Sequence, residues 1–414
     1  MSRIVNAGIQ LAAIPLILRF LGTQDYSVFA VVTGLLMWFN LADIGLGFSI
    51  QNHISLLRVK GGSDTLFLQK IAIFILVIGC LELVIFSVIA PFLQHFLLHK
   101  LEVTTPFYLL MLAGDLYMLS ALFGVGYRVF FARQQGYFAY LYQTVSYVLG
   151  FFLVALCVLL HVNAKLPWVV VAWVLPQALC ALIGFLHAMP LGNWLRAADF
   201  SMFKTIFKKA WQYGFNALGA AFVLGVDYII MAQLLNANDI TVYNIFNKIF
   251  SFMYFGYTAI LAAIWPVLAE YYATFSRKAF QKANAMLIRN ALAATLYVVG
   301  GTCTILLLKG FLLSLFIKTQ LMVSGTILIL FGFYYITRVW TDTYATAVQS
   351  QNKIGFIAAT VPIQAVVSVV FLYGFGKWLG LPGIVLGLGL CFLVTGCWML
   401  PVYHYYSLGK LRGS

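Results

Sequence analysis

The chain has 414 residues, of which 63% are hydrophobic and only 9% charged. A soluble domain carries roughly a quarter charged residues, so the composition excludes a soluble enzyme and requires a polytopic membrane protein. The net charge of +14 does not mark a nucleic-acid binder, because the basic residues sit mostly in short segments between apolar blocks, where cytoplasmic loops collect Lys and Arg.

Apolar blocks of roughly 20 residues or more, each long enough to span a bilayer, recur along the whole chain. They fall at about 4–22, 26–50, 68–93, 105–130, 138–160, 167–190, 212–235, 241–269, 286–312, 322–347, 354–376 and 381–407. The expected class is therefore all-α, with about twelve transmembrane helices; a barrel would show alternating segments of about ten residues instead. No small-residue cleavage site follows the first block, which reads as a span and not as a signal peptide.

Lys and Arg set the orientation. One side holds Arg3; Arg58, Lys60 and Lys70; Arg128 and Arg133; Arg196, Lys204, Lys208 and Lys209; Arg277, Lys278, Lys282 and Arg289; Lys353; and Lys410 and Arg412. The other side holds only Lys100, Lys165, Lys309, Lys318 and Lys377. This bias predicts both termini in the cytoplasm. The outer loops are short and offer no room for soluble chemistry.

The chain repeats itself. "FLGTQDYSVFAVV" from Phe20 aligns with "LLNANDITVYNIF" from Leu234, pairing Leu21 with Leu235, Asp25 with Asp239 and Val28 with Val242. Each copy occupies the turn after the first span of a six-span half. An even number of spans gives both halves the same orientation, a parallel repeat. The expected organisation is an N-terminal lobe at 1–190, a connector at 191–211 and a C-terminal lobe at 212–414. Within the connector, Phe200, Phe203, Phe207 and Ala210/Trp211 share a helical face that Lys204 and Lys208 avoid, the pattern of a basic amphipathic helix in the cytoplasmic interface.

Charges inside the spans are the candidate functional residues, because an ionised group in hydrocarbon costs several kcal/mol. Asn244, Asn247, Lys248 and Ser251 are spaced i, i+3, i+4 and i+7 and share one face of the eighth span. That face either receives an anionic head group or holds a buried Lys248–Asp227 pair. Arg338 and Asp342 stand at i, i+4 and either pair along the helix or line a cavity. In the second span Asn40 and Asp43 precede Gly45 and Gly47, with Gln51 and Asn52 a turn beyond; Asp43 is either a protonation site or a capping neighbour of the interface. Arg19 ends the first span and can snorkel outward, while Glu82 and Asp115 sit alone in spans three and four. His95, His99 and Glu102 could hold a metal in principle, but a histidine pair without a firm third ligand fits a solvated helix end better. The six cysteines form no CxxC pair and read as core hydrophobes. No GxxxxGK[ST] loop and no Gly-rich nucleotide fingerprint is present, so no nucleotide cofactor is expected and transport must run on an ion gradient or downhill.

Three stretches carry a resemblance: "GIQLAAIPLILRFLGTQDYSVFAVVTGLLMWFNLADIGLGFSIQNHIS", "VDYIIMAQLL…VYNIFNKIF…YTAILAAIWPVLAE" and "RVWTDTYATAVQS". They look like the O-antigen flippases of enteric bacteria, the Wzx-type polysaccharide exporters, in the superfamily that also holds multidrug extruders and the lipid II flippase. Members usually carry a basic, polar stretch before the first span, whereas here only Met1–Arg3 precede it. The resemblance implies two six-helix lobes around a central cationic cavity in the bacterial inner membrane, rocking between inward- and outward-open states. It implies an undecaprenyl-diphosphate-linked oligosaccharide as substrate, carried to the periplasmic leaflet, with a proton or sodium ion as coupling partner. A polysaccharide polymerase and a chain-length regulator would be its protein partners. On this reading Lys248, Arg338 and Arg19, with Asn244 and Asn247, contact the diphosphate, and Asp227, Asp43 and Asp342 are the coupling carboxylates. Two rival readings stand beside it: an ion-coupled small-molecule exporter on the same fold, and a membrane polymerase or glycosyltransferase of the same pathway.

Overall fold

A computed structural model describes residues 2–59, 61–101, 105–190, 192, 194–274, 276–316, 323–351 and 353–412. Lys60, Glu102 and Lys318 lie outside them. Among the described residues every regular element is helical. Nine helical stretches among these residues are apolar and long enough to cross a membrane, and a tenth is the pair Phe200–Leu224 and Val226–Leu234, bent by 41°. Two further crossings match the twelve blocks in the sequence. The helix Gly325–Ser350 is 26 residues long but too polar to qualify by hydropathy, since it carries Arg338 and Asp342. The second span is broken, and its first half is counted within the 40-residue stretch Ile4–Asp43.

The chain forms two compact units, Met1–Gln233 and Leu234–Ser414. In the first unit, Gly22 (φ 77°, ψ 173°) interrupts the helix Ser2–Gly34 and turns the chain between its first two spans. The aligned position in the second copy is Asn236, whose side chain accepts from the Asp239 N–H at 2.9 Å and caps the helix Ala237–Ala273. Both copies thus turn at the same aligned residue, one through a left-handed glycine and one through an asparagine N-cap.

The second span breaks at residues 40–45. A 3-10 turn, Asn40–Asp43, ends in two consecutive left-handed residues, Ile44 (φ 47°) and Gly45 (φ 76°). The Asp43 carboxylate accepts from the Gly45 N–H at 2.8 Å and stabilises the turn. The seventh span packs on this break. A Cβ on Gly45 would lie 2.4 Å from the Ala210 carbonyl oxygen and 2.6 Å from the Gly214 nitrogen. The Trp38 indole also donates to the Gly225 carbonyl at 2.8 Å. These contacts place the seventh span, through Gln233, in the first unit, so the packing border falls one span beyond the 191–211 connector.

The connector itself is mostly the first turns of that span. Asp199 caps the helix Phe200–Leu224, Phe203 stacks on Phe74 at 4.8 Å between centroids, and Ile206 and Ala210 are buried. The predicted apolar face therefore packs in large part against the unit's own core. Hydrogen bonds from Met202, Lys70 and Ser201 hold the Asp199 carboxyl below the usual carboxylate range, so its cap persists above that range and is lost as the pH falls through the lowered value. Further charged contacts tie the same end of the unit: Lys70–Asp199 at 3.2 Å, Arg133–Asp64 at 2.7 Å, and Arg58 donating to the Ala132 carbonyl at 2.9 Å.

In the second unit Gly325–Ser350 packs against Ala237–Ala273, Arg277–Leu307, Leu381–Val394 and Gly396–Arg412. Its threonines donate back along the helix, Thr337 to Tyr334, Thr341 to Thr337, Thr343 to Val339 and Thr346 to Asp342. Hydroxyls satisfied in this way can be buried in a spanning helix.

Gly45→Ala is expected to cost about 2 kcal/mol or more, from a left-handed Cβ and overpacking together. Gly374, with nothing within 4 Å of an added Cβ, should tolerate alanine and gain slightly. Thermal unfolding of the purified protein in detergent checks both; equal melting temperatures for the two variants would contradict the close packing at Gly45.

Candidate functional site

The polar stripe on the eighth span divides. Asn247, Ser251 and Tyr254, at i, i+4 and i+7, face the helix Gly325–Ser350. The fully buried Tyr335 hydroxyl donates to the Asn247 side chain at 3.1 Å and shares a hydrogen bond with Ser251 Oγ at 2.7 Å. Asn244 is buried. Asn247 and Ser251 thus join two helices, and Lys248, one residue round the helix from Asn247, is half-buried.

One turn further along, Arg338 and Asp342 meet as their i, i+4 spacing predicts, with Nε 3.9 Å from Oδ2. Aromatic residues enclose the pair. Arg338 donates to the Tyr334 hydroxyl at 3.0 Å, its guanidinium carbon lies 4.5 Å over the Tyr254 ring, and the Tyr254 hydroxyl bonds to the Asp342 carboxylate. Below them Tyr257 pairs with Thr343 and accepts from Asn290 at 3.3 Å. An ion pair at 3.9 Å is loose, while the cation–π contact and the tyrosine hydroxyl hold the guanidinium in place. Arg338 retains donors of its five-N–H fork for an incoming anion.

The remaining predicted residues belong to the first unit. Arg19 is exposed and Asp227 is buried. Asp43 accepts from the Gly45 N–H within the broken second span, as described. Asp115 accepts from Ser87 Oγ at 3.1 Å. Glu82 lines an apolar cavity of about 490 Å³ with Leu35, Phe39, Ile85 and Phe86, and its buried Oε2 has no hydrogen-bond partner among the described residues. The His95 and His99 rings lie 5.9 Å apart, and the described residues hold no cluster of three or more potential metal ligands.

Two features were hidden from the sequence. The tyrosines 254, 334 and 335 carry no charge that would single them out, although Tyr254 continues the Asn247–Ser251 face by one further step of three. Arg128 reads as a cytoplasmic charge next to Arg133, but it lies inside the helix Val125–Ala132, a turn away from that end.

An all-α chain with broken spans and enclosed charges has the architecture of a multi-pass transporter. Along its full length it shares the fold of an inward-facing multidrug resistance MATE family transporter of the MOP superfamily (13% identity, TM-score 0.78, covering 100% of this chain and 96% of that one). It also shares the fold of the lipid II flippase MurJ in an inward closed conformation (12% identity, TM-score 0.72, covering 99% and 88%). Residues 1–272 match the family model described as "Polysaccharide biosynthesis protein", and the chain belongs to that family. Its relatives include a "Putative O-antigen transporter" of Salmonella typhi, 32% identical over 99% of this chain and 95% of that protein. A "Putative O-antigen export protein" of Yersinia pseudotuberculosis is 30% identical over 97% and 92%.

Tyr335→Phe should leave Asn247 and Ser251 without their shared partner and cost on the order of 1 kcal/mol. Denaturation in mixed micelles reads this directly. Unchanged stability would mean that the stripe is not a structural joint.

Proposed function

We propose that the protein is a flippase that carries undecaprenyl-diphosphate-linked oligosaccharide units from the cytoplasmic to the periplasmic leaflet of the inner membrane by alternating access. The observation that carries this reading is the end-to-end kinship with proteins named for O-antigen transport and export, joined to arginine and lysine side chains placed within spans. A diphosphate cannot cross hydrocarbon uncompensated, whereas a polyprenyl tail can stay in the lipid. Cations on spanning helices lower the barrier for the head group alone.

Lys248 and Arg338 are the proposed diphosphate contacts of the second unit, with Asn244 as a further polar partner there, and Arg19 is a separate proposed contact of the first unit. Asn247 supports the site by fixing the helix that carries Lys248. The two halves of the repeat, 1–190 and 212–414 joined by 191–211, are the proposed origin of the moving lobes, with the seventh span, through Gln233, travelling with the first, and both termini cytoplasmic. Coupling follows from competition. Asp342 and a diphosphate are rival anions for Arg338, and a proton or sodium ion taken up by Asp342 releases the guanidinium to the substrate. Asp227 and Asp43 are the other candidate carboxylates.

A second reading, export of a lipophilic cation, draws support from the apolar Glu82 cavity. Liposomes containing the purified protein separate the two, since a cationic dye would be moved only on the second reading.

Lys248→Ala and Arg338→Ala are expected to lower surface O-antigen at least tenfold in a strain deleted for its own flippase, with unchanged protein in the membrane. Electrophoresis of extracted lipopolysaccharide reads the result, and wild-type ladders from both variants would sink the residue assignment. Asp342→Asn should keep substrate binding while flipping in proteoliposomes stops responding to an imposed proton or sodium gradient. A preserved response would remove Asp342 from the coupling step.

A further inference from the structure

Arg128 is a cation set inside a span of the first unit. Among the described residues it makes no hydrogen bond and no ion pair. Its guanidinium carbon lies 3.9 Å over the ring of Phe48, a side chain 42% exposed. Phe48 also stacks with Tyr213 at 5.9 Å between centroids and 25° between planes, and the Tyr213 hydroxyl accepts from Asn52 Nδ2 at 2.6 Å. Three helices, Leu46–Val59, Val125–Ala132 and Phe200–Leu224, therefore bring a guanidinium, an aromatic platform, an amide and a phenol to one place.

The depth of this cluster matters. Arg58 bonds to the Ala132 carbonyl, so the first two of these helices end together at the charged collar of Arg133–Asp64 and Lys70–Asp199. Arg128 is four residues before Ala132 and Asn52 six before Arg58, which at 1.5 Å per residue places them about 6 and 9 Å inside that collar. An arginine and an exposed asparagine at this depth cannot face hydrocarbon without a large cost. They face water or a polar ligand.

The orientation of Arg128 is fixed from two sides. Phe48 supports its plane, and Gly47 leaves room for its stem: a Cβ there would lie 2.9 Å from Arg128 Cγ and 2.9 Å from Asp43 Oδ2. Asp43 accepts from the Gly45 N–H through Oδ1 and turns Oδ2 towards the gap at Gly47, beyond ion-pair distance of Arg128, so it biases the guanidinium without neutralising it by contact. What remains is a planar fork of donors suited to phosphate. Beside it, Asn52 keeps its carbonyl oxygen and one N–H, and Tyr213 keeps its hydroxyl proton, a donor and acceptor set suited to neighbouring sugar hydroxyls.

We propose that Phe48, Arg128, Asn52 and Tyr213 form a head-group subsite of the first unit, taking a phosphate on Arg128 and the adjoining sugar ring on Asn52 and Tyr213. It rests on the lipid-linked oligosaccharide reading and adds a site outside the residues assigned there. It makes the first sugar after the phosphate the one whose identity the protein senses at this end of the membrane.

The test uses the full chain in detergent and two probes, a short-chain polyprenyl diphosphate carrying one N-acetylglucosamine and the same polyprenyl diphosphate without sugar. Binding is followed by tryptophan fluorescence. Arg128→Ala should weaken both probes at least tenfold, with Arg128→Lys in between because the bidentate fork is lost. Asn52→Ala and Tyr213→Phe should weaken only the sugar-bearing probe, about threefold to tenfold. Monodisperse elution of Arg128→Lys and Asn52→Ala guards against misfolding. Wild-type affinity in all four variants, with the wild type binding both probes, would overturn the subsite and leave the flippase reading standing. A wild type that binds neither probe would overturn the flippase reading itself, and the subsite with it.

Discussion

Everything in this chain depends on one constraint: a side chain that carries charge or hydrogen-bonding groups inside a bilayer must find its partners within the protein or in water held by it. Gly325–Ser350 shows how far the constraint reaches. Its threonines bond to their own helix, Tyr335 is spent on Asn247 and Ser251, and Arg338 is held by Asp342, Tyr334 and Tyr254. The charges of this helix keep its hydropathy low for a span, yet it packs against five neighbours in the second unit. Tyrosine is the residue that reconciles the two demands, because its ring packs as an apolar group while its hydroxyl completes a polar contact.

The same constraint explains the broken second span. A helix interrupted at Ile44 and Gly45 leaves backbone groups to be satisfied, and the chain answers with the Asp43 side chain on one side and the seventh span on the other. Because Gly45 and Gly214 carry no Cβ, the two backbones approach closely enough to seal the break. The seventh span is then fixed to the first unit by packing, although the repeat in the sequence opens the second half with it. Repeat and packing obey different rules: the first reflects how the chain is written, the second where apolar faces and small residues find each other.

Legibility in the sequence follows the same division. Span count, helical class and the turn shared by Gly22 and Asn236 were readable because they rest on hydropathy and on a short aligned motif. The Arg338–Asp342 pairing was readable because it is local, at i, i+4. Partnerships across helices were not. Nothing in the spacing of Asn247 and Ser251 announces Tyr335, and nothing adjacent to Arg128 announces Phe48 and Tyr213, which arrive from helices 80 residues before it and 85 after it in the chain. Arg128 was further disguised by Arg133, since two basic residues near the end of a span look like one cytoplasmic anchor.

The unequal charge of the two halves has a physical origin. Lys248 aligns with Gly34, and the space a side chain would need there is filled: a Cβ on Gly34 would lie 2.3 Å from the Tyr228 ring. The first copy therefore has no room for a cation at this position, and Asp227 beside Tyr228 is buried in the same unit. A cation within a span stands elsewhere in this unit, on Arg128, where Gly47 rather than Gly34 supplies the missing volume. A glycine thus closes one position to charge and opens another. If a phosphate head group must be met by positive charge in both halves of a duplicated chain, the duplication need not place that charge at equivalent residues. It has only to leave each half with a position where a long basic side chain can lie flat on an aromatic ring, and Arg128 on Phe48 and Arg338 on Tyr254 are two such positions.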